Sequence, residues 1–345
     1  MPIVISGTKL PQSELKDIQG EIYADWGTFR DKDVDIQEGH KSGTEVYESK
    51  VTVVMQDYSS GPISAGGDSL KSDRTPVVLT KIQFGDTIDN NELLDTRYEK
   101  SMKSGAFNMV SSEFDNFVLQ DISPAICEVM ENVTWDGATT AHKARIAALV
   151  AGASQGSISA GAQTLVAAMP TNKVSSIVAT ILENYSQSKV TPGAGLGDYV
   201  KVPSIAGSVT ASNIAAEYAK IFNVIDPKLI NSKKADEKPV IYAPLADKQL
   251  MITANNSVGA ATNKNFVFNG DKAYYNEIEV RFKPLVGFRI ASPPKYLKVL
   301  MDLVSDMSEL KTGPMANGAE QMWYKNVQAY ATWVTNQRYI VLYGG

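Results

Sequence analysis

From Glu277 to Lys283 the chain reads Glu-Ile-Glu-Val-Arg-Phe-Lys, so that Ile278, Val280 and Phe282 alternate with four charged residues. Alternation with period two predicts a strand, with its apolar set on one face and its charges on the other. A turn at Pro284 leads into the more continuously apolar run Gly287–Ala291, which stops at Pro293-Pro294. Tyr296, Leu297, Leu300, Leu303, Val304 and Met307 then fall at helical spacing and predict a helix. Gln321–Val334, a short loop at Thr335–Arg338 and Tyr339–Tyr343 complete a closing region of β character. Strands cannot satisfy their backbone groups alone, so this region must find partners earlier in the chain.

At 345 residues there is room for two or three structural units around a sizeable core. Of these residues 43% are hydrophobic and 21% charged, as in ordinary globular proteins. A net charge of −5 argues against a chain whose main task is to coat nucleic acid. The single cysteine, Cys127, excludes an internal disulfide and suits a reducing cytoplasm. No apolar run reaches the roughly 18 residues a membrane span needs, and the first residues carry no signal-peptide pattern.

Residues 1–43 have scattered glycines and charges without sustained period. Such a segment makes no core of its own, and is either a disordered tail or an arm lying along another surface. Ile22, Tyr23, Trp26 and Phe29 favour the arm. From Thr44 to Met55 the pattern is strand-like, and a second strand candidate runs from Pro76 to Gly85. Their connection, Ser59–Thr75, is far longer than a usual hairpin loop, so the pair is expected to be held by a neighbour. Phe107, Val110, Phe114, Val118, Ile122, Ile126, Val129 and Val133 then write a long helix. It would extend about 40 Å, with a kink or break at Pro124. Cys127 is expected to pack as a small hydrophobe.

The middle third reads as helices with soft joints. Thr140–Val150 is a short helix, Ala151–Gly161 a flexible connector and Val174–Tyr185 a second helix. Thr191–Ser208 is a loop, and Ser212 is expected to cap a third helix through Ile225. Pro239–Ala243 is a short strand, Ala246–Ala254 another helix, and Phe266–Phe268 another strand segment.

No constellation for catalysis emerges. Gly193–Gly197 has neither the spacing nor the following Lys of a phosphate loop, and no metalloprotease, serine-hydrolase or Cys-x-x-Cys motif occurs. Two histidines, His40 and His142, are too few for a histidine-based zinc site. Asp31, Asp33 and Asp35 lack the closing Glu of a calcium loop and read as a solvated acidic stretch. His142 reads as an exposed histidine at a helix start; Lys143 and Arg145 beside it are a poor phosphate footprint. The expectation is no catalytic residues, no cofactor and no metal.

Taken together, Glu92–Tyr98 ahead of the long helix, Glu277–Ala291, and Trp323–Val327 continuing through Ala331, Val334 and Tyr339–Leu342 resemble a known pattern. Over nearly its whole length the chain is similar to the major capsid proteins of tailed phages, which have the Hong Kong 97-like fold. That resemblance implies an α+β capsid fold with an N-terminal arm, an extended β-hairpin loop, a long spine helix, and peripheral and axial domains. The arm would be residues 1–43 and the extended loop 44–88. The peripheral domain would be 89–137 with part of 288–334, and the axial domain 138–287 with 335–345. It implies self-assembly into hexamers and pentamers of an icosahedral or prolate shell around double-stranded DNA, in the virion, after synthesis in a host bacterial cytoplasm. Portal, scaffold or decoration proteins would be partners, with weak contact to packaged DNA and none to a membrane. Because no long charged helical leader precedes the arm, an internal scaffolding segment is expected to be absent or encoded elsewhere. Trp26, Phe29, Tyr58, Lys71 and Arg74 are the candidate assembly contacts. The alternatives are an encapsulin-like nanocompartment shell, a phage tail component, and an enzyme with a lid at residues 59–75.

Overall fold

The computed structural model describes residues 27–41, 45–51, 70–76, 78–89, 112–152, 160–186, 208–257, 265–270, 272–302, 310–314 and 321–344. Several expectations lie outside these residues: Trp26, Tyr58, Glu92–Tyr98, the first turns of the long helix, and Gly193–Gly197. In chain order the elements begin with α1 (Gly27–Arg30), β1 (Asp35–Gln37), β2 (Glu45–Val51), β3 (Leu70–Pro76) and β4 (Thr80–Asp89). Helices α2 (Ser112–Trp135), α3 (Thr140–Gly152), α4 (Ala160–Ala168), α5 (Ile177–Ser186), α6 (Ile214–Val224) and α7 (Pro227–Ile230) follow. Then come β5 (Val240–Pro244), α8 (Leu245–Ser257), β6 (Phe266–Asn269), β7 (Lys272–Tyr275), β8 (Ile278–Lys283) and β9 (Phe288–Ser292). The chain closes with β10 (Leu297–Met301), β11 (Leu310–Pro314), β12 (Gln321–Val334) and β13 (Val341–Gly344). The class is α+β.

One sheet is built around β12, whose 14 residues give a strand about 46 Å long. One edge of β12 takes β10 along 330–334 and β11 along 322–326; the other edge takes β4 along 321–330, all antiparallel. The short β1 adds in parallel outside β10. Gly85 faces Lys325 in this ladder, and a Cβ added there would lie 2.6 Å from the carbonyl oxygen of Tyr324. Gly85→Ala must therefore push β4 off β12. It is expected to cost about 1–3 kcal/mol, read as a lowered denaturation midpoint; an unchanged midpoint would contradict this close approach.

The second sheet has the order β13-β9-β5-β8-β7-β6, and its strands β13, β9 and β5 are buried on both faces. Val240, Tyr242, Phe288, Ile290 and Leu342 enter the main core with Met130 and Trp135 of α2, Ile146 of α3, and Ile177 and Ile181 of α5. Ile241, Ala243, Ala291, Val341 and Tyr343, one residue out of phase, enter a second core under α6 and α8. Two-sided burial explains why Pro239–Ala243 reads as an unbroken apolar run, and why Gly287–Ala291 is apolar on both faces apart from Arg289, rather than alternating.

The structure corrects the sequence reading at several points. Where a helix was expected over 296–307, the described residues form a 3-10 turn, Pro294–Tyr296, followed by β10, and 303–307 lie outside the described residues. Leu297, Val299 and Met301 face the main core, while Leu300 faces a small cluster with Val46, Leu79 and Ala331. A short strand buried on both faces carries the same leucine density as a helix, and periodicity alone cannot separate them. The return strand of β2 is β3, inside the stretch expected to be loop, whereas Thr80–Asp89 leaves to join β12. Helix α2 runs unbroken through Pro124. Ala160–Ala168, begun within the expected connector, is helical. Helix α6 starts after Asn213, without a side-chain cap, because Asn213 Oδ1 accepts from Thr210 N and the Ser212 hydroxyl meets that of Thr210.

Candidate assembly interface

Strands β2 and β3 pair over seven positions, from Glu45 opposite Pro76 to Val51 opposite Leu70, with residues 52–69 between them. Among the described residues they form a two-stranded sheet with no third strand on either edge. Val46 ties the base of this ribbon to Leu79, Leu300 and Ala331. A two-stranded ribbon is marginal alone in water, and both of its outer edges offer free backbone donors and acceptors. Lys71 and Arg74 stand in β3, opposite Lys50 and Tyr47. Beside the ribbon's return, Val78 is 70% exposed. Leu245, at the start of α8, is 63% exposed between the basic residues Arg30, Lys248 and Lys272.

Residues 27–41 pack on their own chain, which corrects the expectation of an arm lying along something else. Thr28 is fully buried; its backbone N–H donates to Glu131 Oε2 at 2.9 Å and its hydroxyl accepts from Trp135 Nε1 at 2.6 Å. Phe29 packs half-buried against the main core. Tyr242 donates its hydroxyl to the Asp33 carbonyl at 2.8 Å. The Asp33 side chain, expected in a solvated acidic stretch, is fully buried: Arg281 Nη1 is 2.5 Å from Oδ1 and Lys283 Nζ 2.5 Å from Oδ2. Lys283 also donates to Glu131 at 2.9 Å, and Arg281 pairs with Glu279 at 3.1 Å. The charged face of β8 therefore points into a largely covered layer, where Asp33, between α1 and β1, and Glu131 of α2 supply counter-charges. Burial pushes the Asp33 carboxyl above its ordinary value, outweighing the pull of Lys283 and Arg281.

A second buried cluster joins α6, α8, β9 and β13. Arg289 grips Asp247 with two hydrogen bonds, of 2.6 and 2.7 Å, and Tyr218 donates to the same carboxylate at 2.8 Å. Tyr343 donates to Glu217, which also receives Lys220 at 2.7 Å. Burial lifts both tyrosine hydroxyls out of the titrating range, and their carboxylate partners add to the rise.

His142, expected to be exposed, is nine-tenths buried between α3 and α5. Its Nδ1 meets the Ser175 hydroxyl, and Glu183 lies 2.6 Å from Nε2. Burial alone would raise the Glu183 carboxyl, but His142 and Arg145 hold it below its ordinary value. These groups line a cavity of about 400 Å³ together with Thr332 and Trp333 of β12. Lys143 donates to the carbonyl of Met169, and Arg145 Nη2 is 2.5 Å from Glu183, so both basic residues are engaged within the chain. Sequence reasoning missed the partnerships of Asp33, Asp247 and His142 because their partners lie 248, 42 and 33 positions away, beyond any local motif. Among the described residues, no three His, Cys, Asp or Glu side chains are grouped to hold a metal. No helix among them is long and apolar enough to cross a membrane.

No protein-family model matches the chain, and no curated protein matches it in sequence. Solved structures do resemble it in chain trace. A structure of the satellite phage P4 procapsid including size determination (Sid) protein matches 97% of this chain and 99% of its own, with a TM-score of 0.48 and 11% identity. The capsid of an empty GTA particle matches 91% and 94%, with a TM-score of 0.49 and 8% identity. A virus-like particle from Pyrococcus furiosus matches 96% and 98%, with a TM-score of 0.44 and 8% identity.

Proposed function

We propose that this chain is a major capsid protein of the Hong Kong 97-like type, a structural subunit that completes its fold by enclosing a space with copies of itself. The observation that carries the reading is the β2–β3 ribbon, a pair of strands with no third strand on either edge among the described residues. A neighbouring copy that covers the ribbon turns its ordering cost into interface, and closed symmetry lets one chain repeat this contact around a shell. In this reading the ribbon and residues 52–69 reach over the next subunit, with Lys71, Arg74 and Tyr58 at that contact. Trp26, ahead of the described residues, extends the contact in this reading, whereas Phe29 packs against the subunit's own main core. Helix α2 and the β12 sheet form the peripheral body, and the second sheet with α6 and α8 forms the axial one. Hexamers and pentamers build the head of a virion around double-stranded DNA, completed by a portal and by scaffold or decoration proteins. The net charge of −5 fits a wall that touches DNA only weakly.

The test is electron microscopy of the purified full chain together with its elution volume. Closed shells are expected; a monodisperse monomer, or tubes and open rings, would overturn the proposal. Replacing residues 52–69 by a two-residue turn keeps β2 and β3 paired. It should leave a folded subunit that no longer makes complete shells, whereas normal particles from that variant would remove the ribbon from the assembly contact.

A further inference from the structure

The buried junction of β8, α2 and the segment before β1 holds a lysine, two carboxylates and a guanidinium in a walled site. Lys283 is 5% exposed and Asp33 fully buried. The Lys283 ammonium lies 5.7 Å from the Trp135 ring centroid, and Tyr242 bonds the Asp33 carbonyl from another side. Lys283 Nζ comes within 2.5 Å of Asp33 Oδ2. Its other contact, to Glu131 Oε1, is an ordinary hydrogen bond of 2.9 Å. Glu131 is itself oriented by the Thr28 N–H, and Arg281 grips the remaining Asp33 oxygen.

We propose that Lys283 and Asp33 condense within the folded subunit into an isopeptide bond, with Glu131 carrying the protons and Arg281 holding the oxyanion. Glu131 takes one proton from the Lys283 ammonium, and the freed amine attacks Asp33 Cγ. The Nζ–Cγ bond forms while the Arg281 guanidinium stabilises the charge on Oδ1 of the tetrahedral intermediate. Glu131 passes that proton and a second one from the same nitrogen to Oδ2. The Cγ–Oδ2 bond breaks and one water leaves. Glu131 ends ionised as it began, and no oxidant or other reactant is consumed. Two features favour the step. Fixed proximity replaces the cost of bringing amine and carboxyl together. Product formation also exchanges a buried ion pair, whose desolvation is expensive, for a neutral amide. The bond would weld residues 27–41 to β8. It lies within one subunit, so it stands or falls independently of shell assembly.

The experiment is intact mass spectrometry of the purified full chain, followed by mapping of tryptic peptides. The expected result is a mass lower than that of the unlinked chain by one water, with a branched peptide joining the segments that carry Asp33 and Lys283. Lys283→Arg keeps the positive charge without a competent amine and should restore the full mass. Glu131→Gln should leave the two segments unlinked. Recovery of the wild-type chain at its full mass, with separate Asp33 and Lys283 peptides, would overturn the proposal. Linkage at wild-type extent in Glu131→Gln would overturn the role given to Glu131.

Discussion

Asp247→Ala is expected to cost the unassembled subunit about 3–5 kcal/mol, the range for removing one member of a buried pair. Asp247 is 1% and Arg289 4% exposed, and the carboxylate receives two guanidinium hydrogen bonds and the Tyr218 hydroxyl. Alanine leaves the guanidinium charged and dry, with the Gly287 carbonyl at 3.4 Å, the face of Tyr343 and the Glu217 charge in place of its own carboxylate partner. It also strands the Tyr218 hydroxyl in a fully buried position. The measurement is the urea midpoint at unchanged slope. The double change Asp247→Leu with Arg289→Met should recover most of the loss, because replacing both charges by apolar groups removes the desolvation cost along with the attraction. A single-variant loss below about 1 kcal/mol would mean the pair is hydrated rather than buried.

Trp135→Ala should cost a comparable amount, about 3–5 kcal/mol for a fully buried tryptophan. Trp135 ends α2, lies 4.7 Å from Tyr242 between ring centroids, and donates its indole N–H to Thr28. Its removal opens a cavity where α2, the second sheet and the 27–41 segment meet. Trp135→Phe separates two contributions. It keeps most of the packing but leaves the buried Thr28 hydroxyl without its donor, a loss of about 1–3 kcal/mol. Limited proteolysis is the second readout: cleavage within 27–41 should rise in both variants before global unfolding. Equal protease resistance in the wild type and Trp135→Ala would show that Trp135 does not hold the segment.

Much of the architecture could be read in advance where one local rule governs a stretch. The apolar recurrence through Ile126 and Val133 marked α2, and the apolar runs at 239–243 and 287–291 marked strands, though not that both of their faces are covered. Glu279, Arg281 and Lys283 were correctly placed on the face of β8 opposite Ile278 and Val280. What covered that face was not legible. Its counter-charges come from Asp33 and Glu131, far away in the chain, and a strand's alternation says nothing about whether its polar face meets water or carboxylates. The same limit hid the burial of His142, whose partners belong to another helix and the turn before it.

Residue order determined the class of this protein, the positions of its main helix and of most of its strands, and its lack of any local catalytic signature, because side-chain period and turn residues act over short range. Only the tertiary structure decided that β2 turns back onto β3, that Leu297–Met301 is a strand, and that Asp33 is locked against Lys283. Each of those outcomes depends on which distant surface supplies a hydrogen-bonding edge or a counter-charge.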